Sequence, residues 1–152
     1  MIRLNKYNNH AEVRMRKLST TNAMLKLLRE TPDSFANLDF ADKKTFAEVL
    51  TDVLGRVGVT PQGLVMQTLL SKSYVYQVLE GRRLPSRSAL LRITLALGLG
   101  LRETQQMLSR AVKGQLYPKI RRDAALIACI CKNLTLAETD EFLRAIGETP
   151  LL

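Results

Sequence analysis

Between Ser71 and Arg87 the chain reads SKSYVYQVLEGRRLPSR, a stretch whose polar residues have types and spacing suited to recognition chemistry. Laid on a helix at about 100° per residue, Lys72, Ser73, Tyr76, Gln77 and Glu80 share one arc, while Tyr74, Val75, Val78 and Leu79 share the other. A glutamine amide can be bidentate to adenine, a lysine ammonium donates to guanine, and a serine hydroxyl donates or accepts, so the polar arc can read base edges. A merely solvated helix also shows a polar face. The residues just past the helix favour recognition: Gly81 ends it, and Arg82, Arg83 and Arg87 come next, with Pro85 stiffening the loop. Guanidinium groups in such a loop suit phosphate oxygens.

The elements that must position these residues have clear local signals. Ser71 is an N-cap residue and Gly81 a C′ glycine, which brackets one helix. Upstream, Thr60 can cap another, and Pro61 suits its first position because the missing N–H has no intrahelical partner there. Leu64 and Val65 turn inward from that helix. Gln62, in its first turn, has an amide and a backbone N–H near the positive end of the helix dipole. Two roles are open to it, a phosphate contact or a solvated polar residue. Two short helices joined by a tight turn make a helix-turn-helix.

At these residues the chain resembles the Cro and lambda-repressor-like family, also called the Xre family, of small bacterial and phage DNA-binding regulators. The likeness is strongest over the recognition helix and the loop after it, and extends over roughly residues 45–98. It implies an all-α, lambda-repressor-like helical bundle and a sequence-specific regulator of transcription. It also implies that Lys72, Ser73 and Gln77 face bases in the major groove of double-stranded DNA with Tyr76 beside them, and that Gln62, Arg82, Arg83 and Arg87 approach the phosphates. Family members that read palindromic sites do so as dimers, so a homodimer is expected. Three positions depart from the pattern: Leu69 stands where glycine is frequent, Val65 where a small residue is usual, and Pro61 where a glutamine often meets phosphate. These departures keep a second reading open, a protein-interaction module of adaptor or anti-repressor type that retains the fold with weak or no specific DNA binding.

The flanking segments supply the core. Phe46, Val49, Leu50, Val53, Leu54 and Val57 recur at helical spacing from Asp42 onward, and Gly58 closes that helix. Ser86 or Ser88 can cap a helix through Leu97, and Leu101 to Val112 makes another. Further helices are expected over Lys119 to Lys132 and from the capping box Thr135–Glu138 through Ile146. Thr21 to Arg29 forms an N-terminal helix. The expected organisation is a basic, flexible or irregular arm over 1–20 and an N-terminal helix and linker over 21–40. The helix-turn-helix domain takes 41–114, and a C-terminal helical hairpin takes 115–152. The hairpin packs on the core or serves dimerisation, with the N-terminal helix as the second candidate for a subunit contact.

Charge and composition limit the function classes. The chain carries a formal net charge of +9, and residues 71–122 hold eleven Lys and Arg against two Asp and Glu. A basic surface of this kind suits a polyanion, most simply nucleic acid. A charge-rich arm is ordinarily solvated, but such arms can also reach DNA. No apolar run is long enough to span a bilayer and the start lacks a signal-peptide core, so a cytoplasmic protein with no membrane partner is expected. Cys129 and Cys131 are the only cysteines and His10 the only histidine, so no metal or cofactor is expected and the thiols are read as buried structural residues. No nucleophile elbow, phosphate-binding loop or paired-acid motif occurs, and the chain is not read as an enzyme.

Overall fold

A computed structural model describes residues 21–33 and 44–152, all in helices and loops. They fall into two units, one ending at Lys43 and one beginning at Lys44. The expected arm over 1–20 and most of the expected linker lie outside the described residues. In the first unit, α1 (Thr21–Glu30) half-buries Ala23, Met24, Leu27 and Leu28 and exposes Leu25. A Lys26–Glu30 ion pair at 3.8 Å lies along its surface.

The second unit contains seven helices: α2 (Phe46–Val57), α3 (Pro61–Thr68), α4 (Lys72–Leu79), α5 (Arg87–Ala96), α6 (Leu101–Arg110), α7 (Arg121–Cys131) and α8 (Leu136–Ala145). Five of them, α2, α3, α4, α5 and α8, start at a threonine or serine whose side chain accepts an orphan backbone N–H, whereas α6 and α7 start at Gly100 and Ile120 without a side-chain cap. Thr45 and Glu48 form a reciprocal capping box on α2, which places that helix's start after Asp42, and Thr135 and Glu138 repeat the motif on α8. The bonds from the cap residue's N–H and hydroxyl hold the Glu48 and Glu138 carboxyls below their usual range. Ser86, rather than Ser88, caps α5 by accepting from the Ala89 N–H at 3.1 Å.

Helix α5 is central. Ala89, Leu90, Leu91, Ile93, Thr94 and Leu95 are all buried, because α3, α6 and α8 each pack on it. Helix α2 packs on α4, and α3 on α4, so both helices of the helix-turn-helix are backed by the same core. Leu50, Leu64, Val75, Val78, Leu90 and Leu108 belong to it. At the general figure of about 25 cal/mol per Å² of apolar surface removed from water, burying each such side chain contributes roughly 1.5–3 kcal/mol. An Arg56–Glu103 ion pair links α2 to α6.

Helices α7 and α8 pair with each other, α7 also packing on α6 and α8 on α5. Ala125, Leu126, Ile130, Leu136 and Leu143 thereby join the common core. The tail is tied back as well: Asp140 accepts from the N–H groups of Leu151 at 2.6 Å and Leu152 at 2.8 Å. The cysteines divide, which corrects the expectation of two buried thiols. Cys129 is buried, and burial pushes its thiol up, whereas Cys131, two residues on, projects outward and is exposed.

Candidate nucleic-acid interface

The inter-helix turn is built without glycine. Leu69, the C-cap of α3, adopts φ 55° and ψ 24°, the left-handed region that L side chains occupy at a cost of about 1–2 kcal/mol. Three contacts hold it there. The Thr68 hydroxyl donates to Leu64 O at 2.7 Å, the Leu69 N–H donates to Val65 O at 3.1 Å, and Arg92 donates from Nε and Nη2 to Thr68 O at 2.9 and 2.6 Å. Sequence reasoning missed Arg92. Its one signal in the chain is a single cation interrupting the apolar run Leu90–Leu91–Arg92–Ile93. The Leu69 side chain is 68% exposed, so the strained residue packs little. Val65 is half-buried against the core beside its neighbours.

Helix α3 begins as its sequence dictates, with Thr60 accepting from the Gly63 N–H at 3.0 Å and Pro61 in the first turn. Proline has no N–H to offer and Gly63 is capped. The Gln62 N–H and its exposed side chain are therefore the groups of this turn that these cap bonds leave outward.

Helix α4 is capped by Ser71, whose hydroxyl accepts from the Tyr74 N–H at 3.2 Å. Val75 and Val78 are buried against α2 and α3, which fixes the helix rotation and turns Lys72 and Ser73 outward with Tyr76 and Gln77 half-exposed beside them. Gln77 Nε2 donates to Ser73 Oγ at 3.2 Å, and the Lys72 ammonium stands 5.7 Å from the centroid of the Tyr76 ring. The four side chains thus pair along one helix face.

After α4, Gly81 takes φ 73°, and a loop runs to Ser86. Tyr74 organises that loop from the helix. Its hydroxyl accepts from the Ser86 N–H at 2.9 Å, and its ring lies 4.5 Å from the Arg83 guanidinium carbon. Arg82 pairs with Glu80 at 3.0 Å, both side chains well exposed, an arrangement worth little in water and readily exchanged for a phosphate.

Arg87 is placed differently from the other arginines. Its guanidinium donates to Asp123 Oδ1 at 3.1 Å and Oδ2 at 2.8 Å, and also to Gly114 O at 2.9 Å and Gln115 O at 3.2 Å. Asp123 is buried and also accepts from the Tyr117 N–H at 2.9 Å. Burial opposes ionisation of this carboxyl, but the Arg87 and Tyr117 bonds outweigh it and hold the group below the usual carboxylate range. Arg87 is therefore engaged in fastening the 114–117 segment and α7 to the start of α5, and it leaves the set of arginines open to a phosphate.

Among the described residues no group of three or more His, Cys, Asp or Glu side chains comes together as a metal site. No helix among them is long and apolar enough to cross a membrane.

Fold and surface together define an all-helical protein built around a helix-turn-helix. Residues 23–107, more than half of the chain, match the helix-turn-helix domain family, and the chain belongs to it. No curated protein and no solved structure matches the chain.

Proposed function

We propose that this protein is a sequence-specific DNA-binding regulator of transcription of the Cro and lambda-repressor-like (Xre) kind, acting in the cytoplasm as a homodimer. The observation that carries the reading is the rotation of α4, which buries Val75 and Val78 and offers Lys72, Ser73, Tyr76 and Gln77 on the opposite face. Helix α4 enters the major groove, where these four residues meet base edges. Gln62, Arg82 and Arg83 meet phosphates on either side, and Arg87 supports the fold.

A second reading draws on Met66 and Leu69, which are 69% and 68% exposed on the helix-turn-helix itself. A protein-interaction module would use that apolar surface for a protein partner. Selection from a random duplex pool separates the two. A regulator recovers one motif, bound at least ~1000-fold more tightly than a scrambled duplex, with half-site spacing that reports a dimer. Gln77→Ala then loses about 1–3 kcal/mol at one base position, whereas Arg83→Ala weakens all duplexes and flattens the salt slope by about one. Recovery of no motif, with both duplexes titrating alike in salt, would remove the regulator reading.

A further inference from the structure

The eleven basic residues between Ser71 and Arg122 do not share one role. Arg87, Arg92, Arg121 and Arg122 hold the fold together, the last two by donating to Glu148 Oε1 at 2.9 Å, Ile146 O at 3.0 Å and Thr149 O at 3.0 Å. Lys113 and Lys119 have no such use. Neither ammonium meets a hydrogen-bond acceptor or carboxylate among the described residues, and Tyr117 between them is 52% exposed.

The loop that carries these three residues is rigidly held. The Leu116 N–H donates to Gln105 Oε1 at 2.7 Å, and Gln105 Nε2 donates back to Leu116 O at 2.8 Å. Gln115 Nε2 donates to Ser109 Oγ at 2.8 Å, and the Tyr117 N–H is held by Asp123. The loop is also fastened next to the recognition loop. Ser86 bonds to Tyr74 of the recognition helix, and the next residue, Arg87, holds the carbonyls of Gly114 and Gln115. The Arg87 side chain thus ties the end of the loop that carries Arg82 and Arg83 to Gly114 and Gln115, which lie in the chain between Lys113 and Tyr117.

We propose that the 113–119 loop is a second nucleic-acid contact, in which Lys113, Lys119 and the Tyr117 hydroxyl take duplex phosphates beyond those held by Arg82 and Arg83. It rests on the regulator reading and extends the footprint past the groove that α4 enters. Cations on a loop already ordered by the fold meet a polyanion with little further loss of chain freedom. Each lysine contact adds one released counterion, about 0.9 in the slope of log K against log salt, while the neutral Tyr117 hydroxyl adds none.

The test uses the full chain and its selected duplex in a salt series, comparing the parent with Lys113→Gln/Lys119→Gln and with Arg83→Ala. The double variant is expected to flatten the slope by about 1.8 and to weaken binding roughly 30-fold at 0.15 M salt, equally for selected and scrambled duplexes. It also loses hydroxyl-radical protection of backbone sugars outside the recognition half-site. An unchanged slope and footprint in the double variant, with a flattened slope in Arg83→Ala, would overturn this inference and leave the regulator reading standing. A parent that binds no duplex would overturn both. Lys119→Gln alone, at an exposed position, keeps half the expected change readable if the half-buried Lys113 position perturbs folding.

Discussion

Replacing Arg87 by alanine separates a phosphate-binding arginine from one that holds the fold. The truncation removes four hydrogen bonds, two of them to Asp123, whose carboxylate then stays buried with only the Tyr117 N–H. Breaking a buried pair from one side costs about 3–5 kcal/mol in general. The Arg87 side chain is 31% exposed, which admits some solvent screening and lowers the expectation to about 2–4 kcal/mol. For a unit of this size each kcal/mol moves the midpoint by about 3–4 °C, so the midpoint of thermal unfolding followed by circular dichroism falls by roughly 6–16 °C. Adding Asp123→Asn removes the stranded charge and recovers part of the loss, with a coupling of at least ~1.5 kcal/mol in the double-mutant cycle.

The pH dependence carries the same logic with a definite sign. In the parent the Asp123 carboxyl lies below its usual value, so its contribution is present above the unfolded pKa of about 3.9 and disappears as pH falls through the folded value. In Arg87→Ala the buried carboxyl loses its hydrogen-bonded cation and keeps only the Tyr117 N–H and the weaker influence of Arg122, so it ionises less readily and the gap between variant and parent narrows on acidification. Duplex affinity, measured at a temperature where the variant is folded, keeps its salt slope. An unchanged midpoint together with a slope flattened by about one would refute the structural role and return Arg87 to the phosphate contacts.

The remaining perturbations test the site's scaffold. Leu69→Gly relieves a left-handed residue, worth about 1–2 kcal/mol, against glycine's entropic disadvantage of about 0.5–1. It is expected to raise stability by about 0.5–1 kcal/mol and the midpoint by about 2–4 °C, and a lower midpoint would mean the Leu69 side chain packs more than its exposure indicates. Tyr74→Leu removes the ring beside Arg83 and is expected to weaken selected and scrambled duplexes alike by about 2–5-fold, the worth of an exposed cation–π contact. Tyr74→Phe retains the ring and loses only the acceptor for the Ser86 N–H, so fluorescence anisotropy should show the smaller loss of the two. A change in discrimination between the duplexes would make Tyr74 a base reader instead.

Much of this protein arises from short-range pattern. Threonine and serine caps start α2, α3, α4, α5 and α8, glycines end several helices, and apolar spacing of 3 and 4 marks the faces that pack. These signals act within a few residues, so they can be read in the chain itself, and they suffice for an all-helical unit with a helix-turn-helix. The polar arc of α4 is legible for the same reason, since a wheel places Val75 and Val78 opposite Lys72, Ser73 and Gln77.

Long-range pairing decided the rest. Whether an arginine meets solvent or a buried carboxylate depends on a residue 36 positions away for Arg87, and on a carbonyl 24 positions away for Arg92. No local period encodes such partners. Charge counting alone groups Arg82, Arg83 and Arg87 as one cluster, and tertiary packing divides them. Cys129 and Cys131 show the same limit on a smaller scale: two residues apart on one helix, they point to different sides, and only the neighbours that cover each side determine which thiol is buried.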